Sequence, residues 1–495
     1  MERQREVAFA PLGRMRARLP GEVEKVLEAP AGTAWRVRVA NGRPAEIVAR
    51  VQLGEFAFAD KDGLARAQAA WSARGVATRV HTLGSRYGIA GKVLDNRTHL
   101  LLLDGTFSPQ DAQSRQAEIL QRFGASSTIV EELRAPPSAE VRLIDEEGNV
   151  VAVGRDRIDV EALEGEAIEV RQVEFGIGYE FHGFEDRRYR GVIRFVVDRS
   201  GMLAVVNVVR LEDLLQGLVP SEIFARAHVE ALKAQAVTAR GEVLAKVGTR
   251  HLADPYLLCA EQHCAVYRGL SGEAAATNAA VEATRGEALF SREGRLVDSV
   301  YSALCGGYTE NNENVWGGVP NPHLRGRPDL IRPSGHAPTP KDLSRFLDAD
   351  LPVACRLSTL AAPGKYRWER RFTAAEVDAL FADLGIGRVR ALSVLERGVS
   401  GRATSMQVSG EKAAVELRGE LGIRRRFRML NSSMFEIVPE PDQQGQVVAW
   451  KFRGGGWGHG VGLCQTGAIG RAEAGQSYRE ILRHYFSGAR VMRLY

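Results

Sequence analysis

Between Val229 and Val247 the apolar residues recur at helical spacing. Val229, Leu232, Ala236, Ala239, Val243 and Val247 form one stripe, and Glu230, Lys233 and Glu242 lie on the opposite face. That pattern predicts a long helix laid against a core. Just before it, in "GLVPSEIF", stands a single acid, Glu222, expected before or within the helix's first turn. A different rhythm runs upstream. "RVRVANG" reads as a strand ending at a turn, and Ile47, Val51 and Leu53 alternate as a strand does. Leu64, Ala67, Ala70 and Trp71 return to helical spacing, Gly75 stops that helix, and "VATRV" is a second strand. The motif then recurs as strand "THLLLLDG", a helix capped by Ser108 with Pro109 in its first turn, and strand "STIVEEL". Two such halves predict a small ferredoxin-like βαββαβ domain over 46–133, after an N-terminal segment 1–45.

"RAPPS" (134–138) reads as a linker, because two prolines cannot continue a helix or an inner strand. Beyond it, "AEVRLIDEEGNVVAVG" predicts a hairpin. "YRGVIRFVVDRSGMLAVVNVV" gives two strands around Ser200-Gly201, followed by a short helix from Leu211. Strand and helix signals then mix without a βαβ rhythm, so 139–495 reads as an α+β region.

Composition narrows the function classes. At 495 residues and 44% hydrophobic, the chain can bury two or three cores. Its +5 charge is scattered, which argues against a nucleic-acid partner. No run of about 18 apolar residues predicts a transmembrane segment, and the first 20 residues lack the apolar centre of an export signal. Five cysteines are too few for a disulfide scaffold. "CAEQHCAVY" gathers Cys259, His263 and Cys264, types that ligate zinc. Two buried thiols beside a surface histidine would read the same way. Cys355 has no partner in sequence and reads as core. "FRGGGWGHGVGLCQTGA" lacks the Gly-Lys-Ser/Thr of a phosphate loop, so no nucleotide cofactor is expected. His459 and Gln465 project from that tight frame and could bind sugar hydroxyls, or His459 could simply be a satisfied internal histidine. The residues alone leave Glu222 open too: a favourable helix-dipole contact, or an acid whose work needs an apolar pocket.

Two resemblances extend this reading. "VQLGEFAFADKDGLARAQAAWSARG" and "LDGTFSPQDAQSRQAEILQRFG" resemble a SPOR domain, a module that binds peptidoglycan glycan strands stripped of their peptides; "GSRYGIAGKVLDNR" is longer than that pattern. Over residues 139 to 495, the stretch "VPSEIFARAHVEALKAQAVTARGE" is similar to the central motif of the stage II sporulation protein D (SpoIID/LytB) family. "VYSALCGGYTENNENVWG", "SGRATSMQVSG" and "GGGWGHGVGLCQTGAIGRAEAGQ" follow in the family's order. The resemblance implies a SpoIID-type α+β catalytic region and a peptidoglycan lytic transglycosylase, a carbon–oxygen lyase, with Glu222 catalytic. It implies that Arg240, Tyr301, Ser302, His459 and Gln465 hold the glycan. It also implies a structural zinc on Cys259, His263 and Cys264 with an upstream histidine, His251 being nearest and Cys305 an alternative. Cys464 stands where the family usually has serine.

The implied substrate places the chain in the periplasm or at the cell wall, acting after a cell-wall amidase has removed stem peptides. A non-catalytic glycan-binding protein or amidase activator is the alternative, and a metallohydrolase using the cysteine–histidine cluster is a more distant one.

Overall fold

The computed structural model describes residues 1–19, 25–27, 32–125, 127–163, 167–177, 181–332 and 339–495. Positions 20–24 and 28–31 of the expected N-terminal segment lie outside them. The protein is α+β with predominantly antiparallel sheets. It divides into two compact units, Met1–Ala225 with Val243–Arg285, and Arg226–Glu242 with Gly286–Tyr495.

The first unit holds three main sheets. Strands Glu6–Pro11 and Trp35–Arg43 pair with each other, and with Ile168–Phe175 and Ser138–Ile144 respectively, inside a six-stranded sheet. A five-stranded sheet contains Arg157–Ala162, Val192–Val197 and Leu203–Val208. Phe9 of the former meets Phe195 of the latter at 5.2 Å between ring centroids, both fully buried. Each such burial contributes about 1.5–3 kcal/mol. The first 43 residues thus complete a sheet with strands that follow residue 137. The expected turn after "RVRV" does not end the strand there. Asn41 adopts φ +53° inside it and the register with Ser138–Ile144 slips at that point, which marks a bulge.

The βαββαβ segment lies between those partners. Glu46–Ala57, Thr78–Leu83, Thr98–Leu103 and Thr128–Ala135 form an antiparallel sheet in the order fourth, first, third, second. Helix Lys61–Ala73 follows the first strand and Pro109–Phe123 the third. Ser108 caps the second helix by accepting from the Asp111 amide, and Gly124 closes it at φ +64°. Thr128–Ala135 runs into "RAPPS", so only Pro136 and Pro137 separate it from the strand that starts at Ser138. The long middle stretch forms a hairpin, Arg86–Ile89 with Lys92–Asp95. Tyr87 Oη donates to Leu244 O (2.6 Å) and Asn96 Nδ2 to Val247 O (2.6 Å) and Ala245 O (3.3 Å). These are carbonyls at a helix C-terminus, which its own amides cannot satisfy.

Two expectations for the long helix need correction. It spans Val229–Lys246, but residues 234–244 are all buried, Arg240 and Glu242 included, whereas Val229 is exposed. Small residues at Ala231, Ala234, Ala236, Ala239 and Gly241 let neighbours approach on every side. A Cβ on Gly241 would stand 2.3 Å from Ser299 Oγ. A single apolar stripe is therefore the wrong description. Glu222 is not in this helix either. It is the last residue of the preceding helix, Leu211–Glu222, which contains Pro220. The favourable N-terminal dipole contact does not exist there; the residue sits at the negative end of its helix.

In the second unit, Arg367–Thr373, Val447–Gly455 and Phe435–Pro441 form one sheet, and Val389–Arg397, Ala403–Gly410 and Ala414–Arg418 another. Trp368, Phe372, Phe381, Phe427, Phe435 and Phe452 share the core packed against them. Among the described residues no helix is long and apolar enough to cross a membrane.

Candidate functional site

Glu222 is half-buried and is followed in the chain by buried Ile223 and exposed Phe224. Its position follows from a close backbone approach. A Cβ on Gly217 would meet Gly269 O at 2.6 Å, so only glycine lets helix Leu211–Glu222 lie against residues 267–269. Arg268 N donates to Gly217 O, and Tyr267 Oη donates to Asn207 Oδ1 (2.8 Å). The same segment supplies Val266 N, which donates to Glu222 Oε1 at 3.1 Å. One carboxylate oxygen is thus oriented by a main-chain amide.

Two residues upstream of Val266 the metal-type cluster ends. His251 Nε2 lies 3.2 Å from Cys264 Sγ, His263 Nδ1 lies 3.7 Å from Cys259 Sγ and 3.6 Å from Cys264 Sγ, and all four donors fall within 4.8 Å of one another. A tetrahedral zinc with Zn–S of about 2.3 Å and Zn–N of about 2.0 Å needs S···N edges of roughly 3.5 Å. The four residues fit. His251, whose sequence spacing looked long, reaches the cluster through a left-handed turn at φ +52°, and its Nδ1 faces Asp254 Oδ2 at 2.9 Å. That carboxylate fixes the ring and leaves Nε2 for a metal. A hydrogen bond from Cys264 takes the Cys259 thiol down to about 4 despite its burial, while the Cys264 thiol is pushed up. Lys246 Nζ donates to Cys264 O and anchors the loop (2.9 Å).

The second unit assembles the remaining motifs. Tyr301–Ser302 pairs in parallel with Leu463–Cys464, and Leu304 bridges Trp457, so "YSALCGG" and "GGGWGHGVGLC" lie side by side. Arg402 is fully buried beneath them. Its guanidinium donates to Cys305 O (3.2 Å), Tyr308 O (3.4 Å), Gly458 O (3.5 Å) and Ser400 Oγ (2.9 Å). A Cβ on Gly460 would collide with it at 2.4 Å, which explains one glycine of the motif.

His459 makes two internal bonds: Nδ1 accepts from Val461 N (3.0 Å), and Nε2 donates to Tyr301 O (2.9 Å). These partners select the tautomer protonated at Nε2 and engage both nitrogens within the protein. Its ring packs 4.9 Å from Trp316, which is 55% exposed. Gln465 is buried and donates to Gln235 Oε1 (3.3 Å). Ser302 Oγ is buried and finds no hydrogen-bond partner among the described residues. Arg240 is fully buried and donates to Glu287 O (2.8 Å). Arg240, expected to hold the glycan, has no exposed surface here, and its guanidinium supports the backbone.

Two indoles at the glycine-rich motif are exposed: Trp316, in the "TENNENVWGG" stretch whose polar residues beside aromatics suit a sugar groove, and Trp457, which the sequence did not single out. Trp457 lines a groove of about 630 Å³ with Trp368, Arg367 and Asn431, and Lys365 Nζ sits 4.6 Å from its ring centroid. Only their exposure distinguishes them from core tryptophans, and sequence carries no direct signal for that.

Fold and site define an α+β protein with one oriented helix-end glutamate beside a closed thiolate–imidazole cluster. A family model described as stage II sporulation protein matches residues 199–290, which contain both features, and a domain of unknown function, DUF8618, matches residues 310–462. The chain is 27% identical over 318 residues to an uncharacterized protein of Brachyspira hyodysenteriae (64% of this chain, 74% of that one). It is 28% identical over 301 residues to the amidase enhancer of Bacillus subtilis (55% of this chain, 39% of that one). It is 25% identical over 334 residues to stage II sporulation protein D of Bacillus amyloliquefaciens (63% and 82%). Residues 199–290 thus carry a SpoIID-type domain, and the relatives support a SpoIID/LytB assignment for it.

Proposed function

We propose that this protein is a peptidoglycan lytic transglycosylase in which Glu222 is the only acid–base group. The observation that carries the reading is the single half-buried carboxylate held by the Val266 amide, within the segment matched by the stage II sporulation protein model. Most glycosidases need a second acid to activate water or attack the sugar. A transglycosylase does not, because the sugar's own 6-hydroxyl attacks its anomeric carbon, and that intramolecular attack needs mainly orientation. Glu222 protonates the departing glycosidic oxygen and then accepts the proton of the 6-hydroxyl. The product carries a 1,6-anhydro end.

His251, Cys259, His263 and Cys264 would hold a zinc ion that, when bound, supplies a closed structural crosslink with no open position for water. The loop so tied leads directly into Val266, so its task is to keep the amide on Glu222. Four donors in a closed set argue against the metallohydrolase reading. The βαββαβ segment serves as a SPOR-like module that keeps the chain on peptide-free glycan, and Trp316 and Trp457 offer faces on which sugar rings stack. Such a substrate places the protein in the periplasm or at the wall, following an amidase.

Mass spectrometry of peptide-free glycan digested by wild type and by Glu222→Gln tests the reading. Anhydro-ended fragments from wild type alone support it. Reducing-end fragments would mean hydrolysis. Binding without fragments from either protein would favour an amidase activator, the reading to which the amidase enhancer relative points.

A further inference from the structure

The second unit contains another convergence of donors. Cys305, Asp329, Cys355 and Cys464 come from four separate stretches of chain, yet their ligand atoms lie within 4.8 Å of one another and all four residues are 0% exposed. We propose that they form a second, closed structural site for a thiophilic divalent cation, zinc by its ligand chemistry.

Geometry carries the argument. Tetrahedral zinc with Zn–S of about 2.3 Å requires sulfurs about 3.8 Å apart, and with Zn–O of about 2.0 Å an S···O edge of about 3.5 Å. Cys305 Sγ lies 3.7 Å from Cys355 Sγ and 3.5 Å from Asp329 Oδ2. A disulfide needs about 2.0 Å between sulfurs, so the thiols are spaced as ligands of one ion.

The surroundings are those of a ligand set. Cys464 caps helix Gln465–Glu473, and its sulfur accepts from Gly467 N (3.3 Å) and Cys305 N (3.1 Å), bonds that favour a thiolate. Asp329 turns Oδ2 to the cluster, where it also accepts from Cys355 N (3.2 Å). Its Oδ1 accepts from Tyr485 Oη (2.7 Å) and from Arg471 Nη2 (3.1 Å) and Nε (3.3 Å). Outer partners of this kind orient metal-bound carboxylates. Full burial leaves no open position, so the site's task is mechanical: it ties the segment after strand Tyr301–Ser302, the extended stretch at Asp329, helix Ala354–Leu357 and helix Gln465–Glu473 together.

The test counts metal in the full-length reduced protein by inductively coupled plasma mass spectrometry. Cys259→Ser/Cys264→Ser, which lacks ligands of the first cluster, is expected to retain one zinc per chain. Adding Cys464→Ser should remove it, and serine keeps an oxygen at the helix cap, so circular dichroism should show the fold intact. Cobalt loaded into Cys259→Ser/Cys264→Ser should give a thiolate charge-transfer band that weakens with Cys464→Ser. If the double variant fails to fold, wild type against Cys464→Ser alone should differ by one equivalent. No zinc or cobalt in folded Cys259→Ser/Cys264→Ser would overturn the proposal. So would a Cys305–Cys355 disulfide peptide from metal-free, unreduced wild type.

Discussion

The amide of Val266 donates to Glu222 Oε1 across 3.1 Å, only two residues after Cys264. The acid's orientation therefore depends on a short loop whose other end is the cysteine–histidine cluster. Glu222→Gln keeps the accepting Oε1 and the side-chain volume. We expect its unfolding free energy to stay within about 0.5 kcal/mol of wild type, while glycan cleavage falls by at least ~100-fold. Denaturant titration beside fragment counting by mass spectrometry checks both halves.

Metal removal should act on that loop before anything else. Chelation, or Cys264→Ser, is expected to open residues 251–264 to proteolysis and to lower cleavage, because Val266 no longer holds Glu222. Zinc should restore wild type and fail to restore Cys264→Ser. Cleavage that survives complete loss of metal would separate the cluster from the acid.

Arg402 lies under the glycine-rich motif with its guanidinium on three main-chain carbonyls. Arg402→Met strands those carbonyls in a buried site. The expected cost is about 3–5 kcal/mol, as for breaking a buried charged network, read as a shift of the urea midpoint.

Trp316 and Trp457 are expected to act on binding without acting on stability. Either residue changed to alanine should weaken glycan affinity by about 0.5–1.5 kcal/mol, roughly two- to tenfold. Isothermal titration with peptide-free glycan measures it. Unchanged affinity in both variants would remove the indoles from the binding surface.

Asn96 donates to two carbonyls at the end of helix Val229–Lys246. Asn96→Ala should cost about 1–2 kcal/mol, measured by thermal unfolding. Hydrogen exchange should rise locally at residues 244–248, beyond what the loss of one exposed side chain in a loop would produce.

Local structure was readable wherever neighbours within a few residues decide it. The βαββαβ alternation, the Ser108 cap, the glycine stop at 75 and the turn at Gly201 depend on short-range sterics and hydrogen bonds, and periodicity reports them. The family motifs likewise exposed Glu222 and the Cys-x3-His-Cys cluster. What sequence could not decide was which side of a helix faces a core and which distant residues converge. Glu222 ends one helix instead of opening the next, because the backbone turns extended at Ile223. Arg240 was expected among the residues that hold the glycan, and its full burial inside a helix of small residues was not readable from the sequence. Cys355 looked solitary, yet it shares a pocket with Cys305 and Cys464, which lie 50 and 109 positions away in sequence. The sequence by itself determined the elements and the chemistry available to them. The tertiary structure decided which of those groups meet, since burial and close approach arise from packing between segments that no local pattern encodes.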